Sequence, residues 1–333
     1  MSTKAIDVHA HLIPQAMWAA LDRGERWYGA SLVQEGGVSS ILNAERKASP
    51  VEANWRFLPE ERVRDMDSKG VSTQVLSVAP WLTNYHLDPA LALRSSRDIN
   101  EEIAEWCRDR PQRFVGLATV PAQDPALAAR ELDRALGSLG LKGVTLGTNV
   151  MGRNWDDPSL APILQACNEA GAFVFFHPLL PVAGGDRLGR YYLSNSIGFI
   201  LDTTICIASL IFGGVLDRLP DLKLCFAHGG GYACYGIARI EHTVKWRPET
   251  KAIALRKLPE EYLRGLYFDH IVHSYRNLKF LLDLVGPSQV VLGSDYPFDM
   301  GFTDPVGWLR GAPISQRAKD GIVGRNLTKV LGV

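Results

Sequence analysis

Two histidines near the start of the chain have types and a spacing that could bind a metal. His9 and His11 lie in the segment Asp7–His11, directly after a short apolar run. Side chains two residues apart on a β-strand point to the same face, so both imidazoles would project together. Neutral ring nitrogens placed in this way can hold a divalent metal ion. The same pair could also be ordinary surface or capping histidines, so the spacing alone leaves both interpretations open.

Three further segments end an apolar run with a residue that could bind a metal or transfer a proton. They are VFFHP with His177, LCFAHGGG with His228, and VVLGSDYP with Asp295. An unpaired histidine against an apolar wall is costly, and the glycines after His228 permit a ligand to approach the backbone closely. Core packing does not explain several histidines and an aspartate at strand ends that converge on one rim. These segments together predict a metal site.

Eight short runs rich in apolar and β-branched residues could form the strands that position this site. They are Ala5–Val8, Gln74–Val78, Phe114–Thr119, Gly143–Leu146, Phe173–Phe176, Lys223–Ala227, Leu266–Phe268 and Val290–Leu292. Helical segments are predicted at Pro59–Lys69, Pro89–Arg110, Pro125–Leu139, Pro158–Ala170, Ile197–Asp217, Tyr232–Trp246, Arg276–Val285 and Ser315–Leu331. Eight βα repeats favour a closed α/β barrel, the (β/α)8 or TIM barrel, over an open sheet. No GxGxxG follows the first strand, which removes the commonest sign of a dinucleotide-binding sheet.

Two connections are too long to be simple turns. Pro14–Leu58 follows the first strand, and Pro178–Asn195 follows the fifth. Both leave the carboxyl end of a strand, where barrel enzymes keep their active sites, so we expect them to form lids or substrate walls. Because α/β barrels of this length are commonly one domain, we expect residues 1–333 to form a single domain.

Composition and charge disfavour several other kinds of protein. Lys plus Arg and Asp plus Glu each number 36, so the formal net charge is zero and nothing favours nucleic acid or an anionic membrane surface as a partner. The apolar stretch Ile197–Leu216 includes Asp202 and no basic cluster anchors its ends, which predicts a buried barrel or interface helix and no membrane span. Five scattered cysteines without a CxxC pair predict reduced thiols in a cytoplasmic protein.

The motifs in combination resemble those of the amidohydrolase superfamily. HxH follows the first strand, FHP the fifth, AHGGG the sixth and GSDYPF the eighth. Within that superfamily the chain is most similar to the branch of 2-amino-3-carboxymuconate-6-semialdehyde decarboxylase and related non-oxidative decarboxylases. The segments Arg64–Val71, Arg113–Leu117 and Gly324–Asn326 also resemble that branch. The resemblance therefore covers nearly the whole chain.

The resemblance implies a role for individual residues. The ligands of one divalent metal ion would be His9, His11, His177 and Asp295. Zn(II) is the expected metal and Mn(II) the alternative. His228 would be the catalytic acid/base, with Asp295 in the catalytic set as well. Arg239 matches an arginine that dimers of the family lend to the neighbouring active site, which implies a homodimer with Ile197–Leu216 and Arg239 near its interface; an ordinary exposed helix arginine is the alternative.

Two departures from the family concern the substrate. The family's substrate-binding arginine lies in an FRxV segment, whereas the stretch here is Lys47–Val51, with Ser49 where arginine is expected. Arg46 or Lys47 could replace that arginine. The family's tryptophan after the HP pair is also absent. His270, after the seventh strand, could contact substrate or support the site through hydrogen bonds.

The expected activity is non-oxidative decarboxylation of a small unsaturated or aromatic acid that carries a hydroxyl beside its carboxylate. A metal-dependent hydrolase, acting on a C–C, ester or amide bond, needs the same residue types and is the alternative. A catalytically inactive metal-binding scaffold is a remote alternative, because degenerate enzymes usually lose at least one ligand and none of the implied residues is missing here.

Overall fold

Eight parallel strands form a barrel in the computed structural model, which describes residues 3–44, 46–48, 50–180, 183–251 and 254–332. The strands are β1 Ile6–Leu12, β2 Thr73–Val78, β3 Phe114–Ala118, β4 Gly143–Gly147, β5 Phe173–His177, β6 Lys223–Phe226, β7 Tyr267–Asp269 and β8 Val290–Val291. Each pairs with its neighbour in chain order. The Val8 amide donates to the Leu292 carbonyl over 2.9 Å and joins the first strand to the segment after the last. The predicted (β/α)8 TIM barrel is confirmed.

Helices connect the strands and cover the outside of the barrel. They are α1 Gln15–Asp22, α2 Pro59–Ser68, α3 Pro89–Asp109, α4 Pro125–Gly137, α5 Ala161–Glu169, α6 Ile200–Phe212, α7 Val215–Arg218, α8 Ala233–Trp246, α9 Pro259–Leu263, α10 Tyr275–Val285, α11 Pro305–Gly311, α12 Gln316–Asp320 and α13 Asn326–Leu331. With helices outside and side chains inside, all residues of β2 to β5 are buried. Burial on both faces explains why these strands are apolar along most of their length.

The first strand is longer than the sequence predicts. It continues to Leu12 and so includes both histidines, whereas the apolar run indicated an end at Val8. The additional residues pair with β2 and also with the segment after β8, where the His11 amide donates to the Tyr296 carbonyl over 2.6 Å. A local pattern does not reveal these partners, because both lie far away in the chain.

The long connection after β1 contains regular structure in addition to the predicted loop. It holds α1 and a three-stranded antiparallel sheet made by Ser31–Glu35, Val38–Asn43 and Arg46–Ala48, which we call the loop sheet. Lys47 lies on the last strand of the loop sheet. Ser49 lies outside the described residues. The loop sheet therefore presents Lys47 from a defined strand.

The connection after β5 leads into the most apolar helix of the described chain. A π-helical turn at Ser194–Phe199 continues into α6, and the combined stretch Ser194–Phe212 is long and apolar enough to cross a membrane by length and composition alone. Its inner face, with Cys206, Ile207 and Leu210, is buried in the barrel's hydrophobic core. This agrees with the barrel helix predicted for the segment.

Candidate metal centre

Four side chains converge inside the mouth of the barrel. His9 and His11 come from β1, His177 ends β5, and Asp295 follows β8. One nitrogen or oxygen atom from each side chain lies within 4.8 Å of the others, and all four residues are buried. The structure thus brings together the four residues that the resemblance implies as ligands.

Each of the three histidines uses Nδ1 for a protein partner and turns Nε2 toward the others. Nδ1 lies 2.7 Å from Asp269 Oδ2 in His9, 3.2 Å from the Val78 carbonyl in His11, and 2.7 Å from the Pro178 carbonyl in His177. A hydrogen bond at one ring nitrogen sets the tautomer and aims the other nitrogen at a metal. The three rings therefore have the orientation that metal-ligating histidines adopt.

The inward atoms are too close together to satisfy one another without a cation. The Nε2 atoms of His9 and His11 are 3.1 Å apart, and they lie 3.1 and 3.2 Å from Asp295 Oδ1. His177 Nε2 is buried and has no hydrogen-bond partner among the described residues. Unpaired lone pairs in a dry site are costly. Three imidazole nitrogens and one carboxylate fit a single divalent metal ion.

The electrostatics of the site favour a positive charge at the same point. Burial lowers the pKa of His9, but the carboxylates of Asp295 and Asp269 outweigh this effect and raise it to about 10. Burial lowers the pKa of His11 to about 4 and that of His177 well below its ordinary value. Near pH 7 the His9 ring of the metal-free protein is therefore in its doubly protonated, positively charged form. A metal ion would supply that positive charge in the proton's place.

His228 stands beside the four residues, on a strained turn after β6. Its backbone φ is +55°, in the left-handed region that few residues other than glycine adopt. Its Nε2 lies 3.5 Å from Asp295 Oδ2. The turn continues through glycines, and a Cβ on Gly231 would lie 2.2 Å from the Ile200 carbonyl oxygen. The glycines thus allow the turn that aims His228 at the centre.

Asp269, at the end of β7, joins His228 to the four converging residues. The sequence motifs do not predict it as a site residue. Its Oδ2 lies 2.7 Å from His9 Nδ1 and accepts the His228 amide over 2.9 Å, while its Oδ1 accepts the Gly229 amide over 2.9 Å. Burial alone would raise the pKa of Asp269, but the hydrogen bond from His9 and the nearby histidine charges lower it. The sequence signal that could have identified Asp269 is its position as a carboxylate at a strand end, next to His270.

A cavity of about 360 Å³ opens over the centre, and both His228 and Asp295 line it. Aromatic side chains form much of its wall: the rings of Trp55 and Trp81 are 6.2 Å apart and close to parallel. Phe298 packs edge-on against Trp55 with ring centres 5.4 Å apart. Flat aromatic walls around a few polar groups suit a planar ligand.

Of the two residues predicted to replace the family's arginine, Lys47 lines this cavity. Its ammonium group lies 2.6 Å from Glu35 Oε2 on the first strand of the loop sheet, across the central strand. Arg46 precedes it on the same strand, but its side chain lies outside the described part of the structure. Lys47 is therefore the one whose position at the cavity is defined.

His270 and Arg239, the other two residues considered for contact with substrate, do not line the cavity. His270 is fully buried; its Nδ1 accepts the Gly293 amide over 3.2 Å, and its ring packs against Phe302 and Trp308. The residues that line the cavity do not include it, a position that suits the supporting role rather than substrate contact. Arg239 lies exposed on α8. Its predicted role across a dimer interface stays a prediction.

Comparison with known proteins places the chain in a family. A profile described as Amidohydrolase matches residues 6–333. The 2-amino-3-carboxymuconate-6-semialdehyde decarboxylase of Dictyostelium discoideum is 37% identical over 332 residues, which cover 98% of this chain and 91% of that protein. The structure of 5-carboxyvanillate decarboxylase from Sphingomonas paucimobilis covers 100% of both chains with a TM-score of 0.84 and 25% identity. A 5-carboxyvanillate decarboxylase from Novosphingobium aromaticivorans, complexed with manganese and 4-hydroxy-3-methoxy-5-nitrobenzoic acid, has a TM-score of 0.84 at 24% identity and covers 99% of this chain and 96% of that one. The chain belongs to the amidohydrolase family.

Proposed function

We propose that this protein is a metal-dependent, non-oxidative decarboxylase of a small aromatic or conjugated carboxylic acid. The observation that carries the proposal is the position of His228, which faces an aromatic-walled cavity directly beside the three converging histidines and Asp295. The decarboxylase names of the relatives support this reaction over hydrolysis, which the residue types alone leave open.

The four converging residues would hold the metal, and the cavity would hold the substrate's skeleton. When bound, a divalent ion supplies positive charge that attracts a carboxylate and a neighbouring hydroxyl and stabilises developing negative charge. Trp55 and Trp81 would hold a planar ring against the centre. Lys47 would attract the acid at the cavity mouth and so replace the family's arginine.

His228 would control the proton. In the reaction the bond between the carboxylate carbon and the ring or chain carbon that bears it breaks. CO2 leaves, and the electron pair that stays on the ring or chain carbon takes up a proton. His228 lines the cavity with its Nε2 3.5 Å from Asp295 Oδ2, and it would deliver this proton to the carbon that loses the carboxylate. General acid–base catalysis of this kind contributes about 10²–10⁴-fold in rate.

The metal is proposed to be Zn(II) or Mn(II). Three nitrogens and one carboxylate suit Zn(II). Manganese is present in the Novosphingobium aromaticivorans enzyme, which has the same fold. Elemental analysis of the purified protein distinguishes the two, and the expected result is one ion per chain.

The test follows CO2 release from a panel of hydroxybenzoates and carboxymuconate-type acids, together with cleavage of ester and amide substrates. His228→Ala is expected to lower CO2 release by about 10²–10⁴-fold. His242→Ala is the control, because His242 is an exposed histidine on α8 outside the residues that line the cavity, and its loss should leave the rate unchanged. Metal-dependent hydrolysis without CO2 would overturn the proposed reaction.

A further inference from the structure

A chain of three buried polar side chains lies next to the converging residues, and the proposed reaction does not use it. Arg62 of α2 is 4% exposed, Gln74 of β2 is 2% exposed and Asp7 of β1 is fully buried. Arg62 Nε donates to Gln74 Oε1 over 2.7 Å, and Gln74 Nε2 donates to Asp7 Oδ2 over 3.2 Å. Burying two charged groups with only a neutral amide between them is expensive. Such an arrangement indicates a task beyond filling the core.

Both ends of this chain contact the backbone of the implied ligands on β1. Arg62 Nη1 donates to the His11 carbonyl over 2.8 Å. Asp7 Oδ1 accepts the His9 amide over 3.1 Å. The backbone next to each histidine side chain is therefore held by a side chain of the Arg62–Gln74–Asp7 chain.

The same chain reaches the segment that carries Asp295. Asp7 Oδ1 accepts the Ser294 amide over 2.9 Å, and Asp7 Oδ2 accepts the Ser294 hydroxyl over 2.5 Å. The Arg62 guanidinium lies 4.6 Å from the centre of the Tyr296 ring. Asp295, between these two residues, has a φ of +64°. A residue other than glycine keeps this left-handed backbone conformation only where its surroundings hold it in place.

Charge pairing alone does not account for Arg62. Its two side-chain hydrogen bonds go to the neutral oxygens of Gln74 and the His11 backbone, and its Nη2 has no partner among the described residues. An apolar residue would fill the same space without burying a charge. The rigid fork of a guanidinium, however, can hold two acceptors at a set angle.

We propose that Arg62 is a positioning residue that sets the geometry of the metal centre. It acts on His11 directly, and on His9 and Asp295 through Gln74, Asp7 and Ser294. The inference rests on the metal centre of the proposed function. Removing Arg62 leaves every ligand in place but loosens the spacing of the His9, His11 and Asp295 atoms, so metal affinity falls although no ligand is lost.

The experiment titrates metal-free, full-length protein with Co(II) and follows its visible absorption spectrum, which reports ligand geometry. Loss of a group that orients metal ligands typically weakens metal binding about 10–100-fold, and we expect this for Arg62→Met together with a changed Co(II) spectrum. Arg62→Lys should weaken Co(II) binding less, because its ammonium group can replace one of the two hydrogen bonds that Arg62 donates. Gln74→Leu breaks the link between Arg62 and Asp7 and should also weaken binding.

The matched control is Arg113→Met. Arg113 precedes β3 at the other end of the barrel, where it donates to the Ser72 carbonyl over 2.8 Å and pairs with Asp67. Its loss should lower stability and leave the Co(II) affinity and spectrum unchanged. If Arg62→Lys and Gln74→Leu bind Co(II) like the wild type and show its spectrum, Arg62 is merely structural and the inference is wrong. Failure of the wild-type protein to bind Co(II) would instead overturn the metal centre itself. Should Arg62→Met fail to fold, the other two variants decide.

Discussion

At the scale of single residues, Asp269 shows how one carboxylate can hold two functional groups. It contacts the His9 ring and accepts the backbone amides of His228 and Gly229. An asparagine at this position has one acceptor oxygen, and its amide group would face a donor. We expect Asp269→Asn to weaken metal binding about 10–100-fold, measured by competition with a chelating dye. Asp283→Asn removes an exposed carboxylate on α10 that pairs with Lys279 and should have no effect. Equal affinities in the two variants would contradict the role given to Asp269.

The protonation of His9 leads to a prediction about pH. In the metal-free protein its pKa is raised to about 10, whereas that of His11 is lowered to about 4. Between about pH 5 and pH 9, metal binding must therefore displace the His9 proton and no proton from His11. Calorimetry at pH 7 in buffers of different ionisation enthalpy should detect release of about one proton, and affinity should rise about tenfold per pH unit. Binding without proton release would contradict this charge assignment.

The residues that the sequence could identify are those in short motifs at strand ends. His9, His11, His177, His228 and Asp295 each follow or end an apolar run, and the structure brings all five together. Asp269 also ends a strand but stands in no recognised motif, and Arg62 lies on a helix, so only their hydrogen bonds to distant segments reveal them. Hydrogen bonds between distant segments leave no local pattern.

At the scale of elements, the turn after β6 depends on glycine. Gly231 has a φ of +66°, and a Cβ there would lie 2.2 Å from a backbone oxygen. Gly231→Ala should lower the free energy of unfolding by about 1–3 kcal/mol in urea titrations, through backbone strain. Gly236→Ala on α8 meets open space and should be neutral or stabilising by up to about 1 kcal/mol. Equal effects of the two substitutions would show that the turn tolerates a side chain.

Strands buried on both faces were the elements easiest to predict. Phe173–His177 is apolar up to its last residue because helices cover one side and the barrel interior the other. The loop sheet was missed, although Gly36 and Gly37 between two strands, both with positive φ, are a hairpin signal. The segment predicted as a continuous helix at Ser315–Leu331 is α12, a π-helical turn at Gly321–Arg325 and α13. Pairing partners and helix interruptions depend on contacts that periodicity does not encode.

At the scale of the whole molecule, we propose that residues 1–333 form one domain and that two copies form a homodimer. Arg239 lies exposed on α8, outside the residues that line the cavity of its own chain. If it acts in a partner's site, mixing His228→Ala and Arg239→Ala proteins should restore activity, because about half of the dimers are then mixed and each mixed dimer contains one intact site. Restoration to about a quarter of the wild-type rate is the statistical expectation. Light scattering that reports a monomer, or mixing without recovery, would contradict the shared site.

We propose that one metal ion at the four converging residues is required for decarboxylation. The most direct test adds Zn(II) or Mn(II) stepwise to metal-free protein and measures bound metal and CO2 release from a carboxyl-labelled hydroxybenzoate in the same samples. CO2 release should rise in proportion to bound metal and stop at one ion per chain. Asp295→Ala should bind metal weakly and release no CO2. CO2 release from metal-free protein, or metal-dependent hydrolysis in place of CO2 release, would contradict the claim.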